Sequence, residues 1–134
     1  MDMQTKVTTT GGALIDEFDR LIASDKVEGT AVFNRQDERL GAVHNFMVDK
    51  VSGHVAYAVM SFGGFLGVGV GYHPLPWRVL TYDERLQGYV IDLDREKLLK
   101  APHYKEHAKA PWTDRTFAPG IDQYYAAIAP FGVI

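Results

Sequence analysis

The sequence contains no cysteine among its 134 residues, which excludes disulfide bonds and thiolate metal sites. It also has no excess of basic charge. Lysine and arginine number 14 against 17 aspartates and glutamates, the net charge is −3, and the two signs are mixed along the chain. Because binding to nucleic-acid phosphates requires clustered lysine and arginine, we expect no nucleic-acid partner.

Long apolar segments are also scarce. Residues 1–12 lack the basic start and the apolar run of a signal peptide. The one long uncharged run, residues 55–72, approaches the length of a membrane-spanning helix, but it contains five glycines and begins with a strand-like alternation. We therefore expect a cytoplasmic protein without a membrane span. A chain of this length fits one domain with a substantial apolar core.

Two hydrophobic periods divide the first half of the chain. Within residues 13–23, apolar side chains recur at helical spacing, which predicts a short amphipathic helix that packs on its own domain or, alternatively, on a partner. The period then changes to two. Residues 40–49 and 54–62 read as strands joined by a turn, in which Asp49 accepts hydrogen bonds from backbone N–H groups and Gly53 supplies a positive φ.

The pattern after this hairpin indicates that the sheet bends. Glycines at 67, 69 and 71 leave one face of a strand without side chains, which allows sharp curvature. Residues 77–82 and 89–93 predict further strands, about six in all. The sequence therefore predicts a mainly β fold, a small and strongly bent antiparallel β-barrel with short flanking helices.

Alternation along the strands also predicts the core, because every second residue of a strand faces the same side. We expect six of these side chains to be buried: Phe46, Val48, Tyr57, Val59, Val79 and Ile91.

The C-terminal third predicts less regular structure. Asp94 can cap a helix over residues 95–100, and Pro102 ends that helix. Residues 101–120 read as an irregular strap, followed by one or two helical turns within 120–127. We divide the chain into a polar leader with a short helix (1–23), a barrel domain (24–100) and a C-terminal extension (101–134) that packs on the barrel or on a partner copy.

Motifs that would indicate catalysis or cofactor binding are incomplete. Ser61 does not belong to a G-x-S-x-G motif, because position 59 is valine. The glycines of residues 67–71 are followed neither by a helix nor by a Gly-Lys-Ser/Thr step, so they do not predict a nucleotide loop. His103 and His107 have the i, i+4 spacing of a metal site without its glutamate, and we interpret them as solvated. We expect no catalytic residue, cofactor or metal, and a pair of aspartates acting as acid and base stays an open alternative.

Two other histidines lie in more ordered surroundings. His44 lies among the apolar residues on one face of a predicted strand, which favours a core or rim histidine over a general base. His73 precedes Pro74 and lies near Trp77, a setting typical of the lip of a crevice. His73 is therefore a candidate contact for a ligand or a partner.

Several short motifs along the chain form one larger pattern. They are Val27-Glu28-Gly29-Thr30, Leu40-Gly41-Ala42-Val43, Val48-Asp49 with Ser52-Gly53, Tyr57-Ala58-Val59, Gly63-Gly64, Leu66-Gly67 and Leu75-Pro76-Trp77. Over roughly residues 24–100 the chain thereby resembles the PRC-barrel family. That family is named for the cytoplasmic barrel of the photosynthetic reaction-centre H subunit and includes the C-terminal domain of a ribosome-maturation factor.

The resemblance implies a small bent barrel that is used mostly for docking and has no shared set of catalytic residues. The chain is similar to the free-standing bacterial type, since we find neither the N-terminal membrane helix of the H subunit nor the separate N-terminal barrel of the ribosome factor.

We therefore expect a non-catalytic interaction or scaffold module that forms a homodimer and binds a protein partner. The candidate partner or ligand surface comprises His44, Tyr57, His73, Trp77 and Trp112. The alternative is a module that binds a small ligand or assists electron transfer, with a pocket between barrel and tail lined by His44, Tyr57, His73 or Trp77. A ribosome-maturation-like adaptor ranks third, because the sequence shows no basic stripe.

Overall fold

A computed structural model describes residues 20–63, 70–106 and 108–129 of the chain. The strands are β1 (Ala31–Phe33), β2 (Arg39–Val48), β3 (Val55–Gly63), β4 (Val70–Pro76), β5 (Thr81–Asp83), β6 (Gly88–Val90) and β7 (Tyr104–Lys105). The helices are α1 (Ser24–Val27), α2 (Arg95–Lys100) and α3 (Phe117–Ile128), with 3-10 turns at Trp77–Val79 and Pro111–Thr113. None of the helices in these ranges is long and apolar enough to cross a membrane.

The strands form one sheet in the order β5-β6-β1-β2-β3-β4-β7. The prediction of a mainly β, bent barrel-like fold is confirmed, with three differences in detail. The sheet has seven strands, and β1 pairs with β6 in parallel while the other pairs are antiparallel. In the described part of the chain no pairing joins β5 to β7, so the sheet curls without closing.

The hairpin of β2 and β3 is the longest pairing, running from Gly41 opposite Phe62 to Val48 opposite Val55. Its turn has the predicted chemistry. The Asp49 carboxylate accepts hydrogen bonds from the backbone N–H groups of Val51 at 2.9 Å and Ser52 at 3.1 Å. Gly53 has a φ of +82°, where a side chain would be strained.

The core lies between the sheet and the two longer helices. Each of these elements contributes fully buried side chains, namely Val32, Met60, Leu75, Ile91, Leu98, Ile121 and Tyr125. The C-terminal extension is therefore part of the same core, because Ile121 and Tyr125 belong to α3. Asp94 caps α2 as predicted, with its carboxylate accepting from the Lys97 N–H at 2.8 Å.

The core prediction was wrong for Val48. Val59, Val79 and Ile91 are buried, and Phe46 and Tyr57 pack against the core half-buried, but the Val48 side chain is 53% exposed. The register of β2 against β3 shifts between Met47 and Val48. Such a shift breaks simple alternation, so a side chain assigned to the inner face by counting in twos turns to solvent.

Three predicted elements also differ from the structure. Residues 20–23 are not helical, and Leu21 and Ile22 are 85% and 56% exposed; the rest of the predicted helix, 13–19, lies outside the described residues. Residues 77–79 form a 3-10 turn instead of the start of a strand. The predicted irregular strap, residues 101–120, contains β7, a 3-10 turn and the beginning of α3. Glycines 67 and 69, which predicted the bend of the sheet, lie outside the described residues.

Replacing Gly53 by a β-branched residue tests the turn. We expect Gly53→Val to lower the free energy of unfolding by about 1–3 kcal/mol, because it forces a branched side chain to positive φ. Gly53→Asn is the control, since asparagine tolerates that conformation and should recover most of the loss. Equal stability of Gly53→Val and the wild type in urea denaturation would show that the turn assignment is wrong.

Two valines on neighbouring strands test the assignment of the core. Val59→Ala removes a fully buried side chain and should cost about 2 kcal/mol in the free energy of unfolding. Val48→Ala is the matched change at an exposed position and should stay within about 0.5 kcal/mol of the wild type. Similar losses for both variants in chemical denaturation would contradict the burial described above.

Candidate functional site

One continuous row of aromatic side chains reaches the surface on the β5–β6 side of the sheet. Phe46, Trp77, Tyr89 and Tyr82 contact one another in that order, with ring centroids 5.8, 5.7 and 5.3 Å apart. We call these four residues the outer aromatic row. Trp77 is 36% exposed and Tyr82 is 42% exposed, whereas Tyr89 is buried behind them. The row is therefore an apolar surface supported from within the fold.

Local structure explains why these rings meet. Pro76 ends β4, and the following 3-10 turn, closed by the Leu80 N–H donating to the Trp77 carbonyl at 3.2 Å, carries the indole outward. Tyr82 and Tyr89 are directly opposed in the antiparallel pairing of β5 with β6. Directly opposed residues of such a pair have neighbouring side chains, so their contact follows from the register.

A groove of about 450 Å³ continues from the end of this row. Tyr82 and Tyr89 form part of its lining, together with Arg20, Ile22, Val27, Thr30, Glu84 and Gln87. Ile22 supplies exposed apolar surface there, and Arg20 and Glu84 supply charges of opposite sign. The groove thus has an aromatic and aliphatic floor with a mixed polar edge.

Ion pairs border the same end of the sheet. The guanidinium group of Arg85 donates two hydrogen bonds to the Asp37 carboxylate, at 3.0 and 3.1 Å, and Arg95 donates to Glu38 at 3.0 Å. These bonds hold the pKa of the Asp37 and Glu38 carboxyl groups below their ordinary values. The carboxylates are exposed, so they define the polarity of the border more than they stabilise the fold.

A second set of aromatic residues joins the C-terminal extension to the sheet. Trp112 lies between Tyr57 and Phe117, at centroid distances of 5.4 and 5.1 Å. The Tyr57 hydroxyl donates a hydrogen bond to the Asp122 carboxylate of α3 at 2.7 Å. Burial, and then the neighbouring carboxylate, raise the pKa of Tyr57, so its hydroxyl stays protonated and remains a donor. This set fastens α3 to β3.

The set continues through Phe117 to Tyr104 and Tyr72, and ends at the rim of the sheet. There the exposed His44 imidazole stacks on the Tyr72 ring, with centroids 4.3 Å apart and planes 15° apart. His44 is thus a rim histidine, one of the two settings that the sequence favoured.

His73 is buried and does not form the lip of a crevice as predicted. Its side chain on β4 is 3% exposed, stacks on His103 with centroids 4.7 Å apart, and meets the Phe62 ring edge-on at 5.1 Å. Burial, and then His103, lower the pKa of His73 to about 4, against the opposing effect of the Leu98 carbonyl. His73 is therefore neutral at pH 7.

The five residues singled out in the sequence fall into three groups of ring contacts. His44, Tyr57 and Trp112 belong to the set that joins extension and sheet, His73 to the histidine pair, and Trp77 to the outer aromatic row. Within residues 20–63, 70–106 and 108–129, no three histidine or carboxylate side chains form a potential metal site. His107 lies outside the described residues.

Sequence reasoning missed two parts of this arrangement. Tyr82 and Tyr89 end and begin the predicted strands 77–82 and 89–93, so counting outward from the connection between them pairs the two rings. The contact of His73 with His103 had no local signal, because the two residues are brought together by the path of the chain after α2.

The hydrogen bond between Tyr57 and Asp122 gives a test of how α3 is held. Tyr57→Phe should lower the free energy of unfolding by about 1 kcal/mol, and a double-mutant cycle with Asp122→Asn should give a coupling of about 0.5–1.5 kcal/mol. Tyr82→Phe, which removes a hydroxyl from an exposed ring, is the control and should stay within about 0.5 kcal/mol of the wild type. A coupling of zero would mean that this bond does not hold α3 on the sheet.

Comparison with known proteins identifies the family of this chain. No curated protein matches the chain. A family model of the PRC-barrel domain matches residues 19–98, more than half of the chain and the part that contains β1 to β6 and most of α2. This protein therefore belongs to the PRC-barrel family.

Proposed function

We propose that this chain is a non-catalytic interaction module of the PRC-barrel type, which acts in the cytoplasm and associates with a second copy of itself through the outer aromatic row. The observation that carries the proposal is the exposure of Trp77 and Tyr82 in one supported row. Tryptophan and tyrosine are enriched in protein–protein interfaces, where they contribute much of the binding energy.

The row suits binding because its exposed rings are already positioned. Trp77 rests against Phe46 and Tyr89, and Tyr82 rests against Tyr89, so contact with a partner would restrict few additional side-chain rotations. A binding surface that is ordered before association loses less conformational entropy when the complex forms. Exposed Ile22, in the adjoining groove, extends the apolar area beyond the row.

The border of the row favours a second copy as the partner. Arg20 and Arg85 provide positive charge, and Asp37 and Glu84 provide negative charge, all within the grooves on either side of Tyr82. Around a two-fold axis the same patch meets itself, so a patch carrying both signs can be complementary to its own copy. A patch of one sign would repel itself.

The family supports a docking role, as the sequence resemblance implies, because PRC-barrels share a scaffold and no common catalytic residues. The protein interior is consistent with a scaffold, since its centre is filled by aliphatic and aromatic side chains from the sheet and helices.

Molar mass in solution tests the proposal. Light scattering coupled to size exclusion should give twice the 15.0 kDa chain mass at a protein concentration of about 100 µM. This concentration lies well above a dissociation constant of about 1 µM. The double variant Trp77→Ser, Tyr82→Ser should elute as a monomer with unchanged far-ultraviolet circular dichroism, because it removes the two exposed rings and leaves Phe46 and the buried Tyr89 in place.

Leu99→Ser serves as the matched control. Leu99 is 58% exposed and lies on α2 outside the row and its grooves, so this variant should remain a dimer. A monomeric wild type at the highest concentration, or a dimer that survives the double variant, would refute the proposed self-association.

A further inference from the structure

At one edge of the sheet, β7 covers β4. This contact is short: β7 pairs through Tyr104 with Tyr72 and through Lys105 with Gly71. The adjacent residues of the two segments, His73 and His103, add a stack of two imidazole rings whose planes are 12° apart. The histidine pair therefore acts together with buried Ala101 and with the Tyr104 ring, which contacts Tyr72 and Phe117, in holding this segment on the sheet.

We infer that the stacked imidazoles of His73 and His103 form an acid-sensitive latch, which holds residues 101–105 against β4 near neutral pH and releases them on acidification. The inference is independent of the proposed function, since it concerns contacts within one chain.

The surroundings of His73 accept only its neutral form. The side chain is 97% removed from solvent, and its Nδ1 atom has no hydrogen-bond partner among the described residues. A protonated imidazole carries an N–H on both nitrogens, so protonation would leave a charged donor buried without an acceptor. The partner ring is held in place, because His103 Nδ1 lies 2.8 Å from the Ala101 carbonyl oxygen and can donate to it.

The neighbouring charges do not relieve this cost. On α2, the Arg95 guanidinium lies 5.5 Å from the centroid of the Phe62 ring, whose edge contacts His73, and Glu96, Lys97 and Lys100 are exposed. The segment that carries β7 contributes His103, Tyr104, Lys105 and Glu106, and α3 contributes Tyr125, which burial keeps neutral. On β3, the partners of His73 are the uncharged Met60 and Phe62.

Of these groups, only His103 acts electrostatically on the pKa of His73, and it acts to lower it. The Leu98 carbonyl favours the charged form but is outweighed by burial.

Protonation therefore favours the released state. The pKa of His73 is about 4 when the segment is closed, and the ordinary value of 6.5 applies once the ring is solvated. Between these values the open state binds more protons than the closed one, so opening becomes more favourable as the pH falls. Because the open state binds protons preferentially, the equilibrium constant for opening rises about 20-fold between pH 7 and pH 5. Release would uncover the His73 ring and turn β4 into an edge strand.

Hydrogen exchange of the intact protein tests the latch. Protection factors, which already correct for the intrinsic effect of pH, should fall by about 20-fold from pH 7 to pH 5 for amides of residues 101–105. Those of the β2–β3 hairpin should stay constant over the same interval. Unchanged protection of residues 101–105, or parallel loss in the hairpin, would overturn the inference, the latter because it would indicate global acid unfolding.

Three variants locate the effect. His73→Phe keeps a ring without a titrating group and should abolish the pH dependence at residues 101–105. His103→Gln should weaken the segment at every pH, because the stack is lost. His54→Gln, at an exposed histidine in the β2–β3 turn, should behave as the wild type. An undiminished pH effect in His73→Phe would overturn the latch.

If His73→Phe fails to fold, a histidine titration of the wild type by NMR tests the latch instead. The His73 ring should remain neutral down to about pH 5 in the populated closed state, while protection of residues 101–105 already falls between pH 7 and pH 5. Titration of His73 near pH 6.5 with the segment still protected would contradict the inference.

Discussion

The antiparallel pairing of β2 with β3 is the constraint on which the rest of the structure depends. This hairpin forms the middle of the sheet, with β1 on one side and β4 on the other. Gly41 allows the two strands their close approach, because a Cβ at that position would collide with the backbone carbonyl of Ser61. From this centre the chain places the outer aromatic row on the β6 side and the histidine pair on the β4 side.

Local chemistry made much of the fold predictable. Aspartates that accept backbone N–H groups marked the turn at Asp49 and the start of α2 at Asp94, and Gly53 marked the positive φ that ends the turn. Each of these signals depends on residues within a few positions of one another. The long strands were equally predictable, because their alternation of inward-facing and outward-facing residues extends over many positions.

Features that depend on irregularity or on distant contacts were not predictable. The register shift between Met47 and Val48 turns the Val48 side chain to solvent, and no residue type in this part of the sequence signals the shift. The parallel pairing of β1 with β6 joins strands far apart in the sequence, and no local pattern records it. The contact of His73 with His103 requires the whole path through α2. Of the outer aromatic row, the sequence singled out Trp77 alone.

The two ends of the sheet present different surfaces. On the β4 side, aromatic and histidine rings pack against the C-terminal extension, where Trp112 lies between Tyr57 and Phe117. On the β6 side, Trp77 and Tyr82 are supported from behind and remain open to solvent in the described structure. The apolar interior and the exposed aromatic row are the two features on which we base the proposal of contact with another surface.

Binding of a second copy to the outer aromatic row would change the environment of Trp77, and this change can be measured by fluorescence. The sequence has two tryptophans, so Trp112→Phe leaves Trp77 as the single reporter. If the row binds a second copy, the emission of Trp77 shifts to shorter wavelength as the protein concentration rises through the range in which the dimer forms. Quenching of this emission by acrylamide weakens over the same range. An emission spectrum and a quenching constant that are independent of concentration, at concentrations where a dimer is present, would contradict this binding.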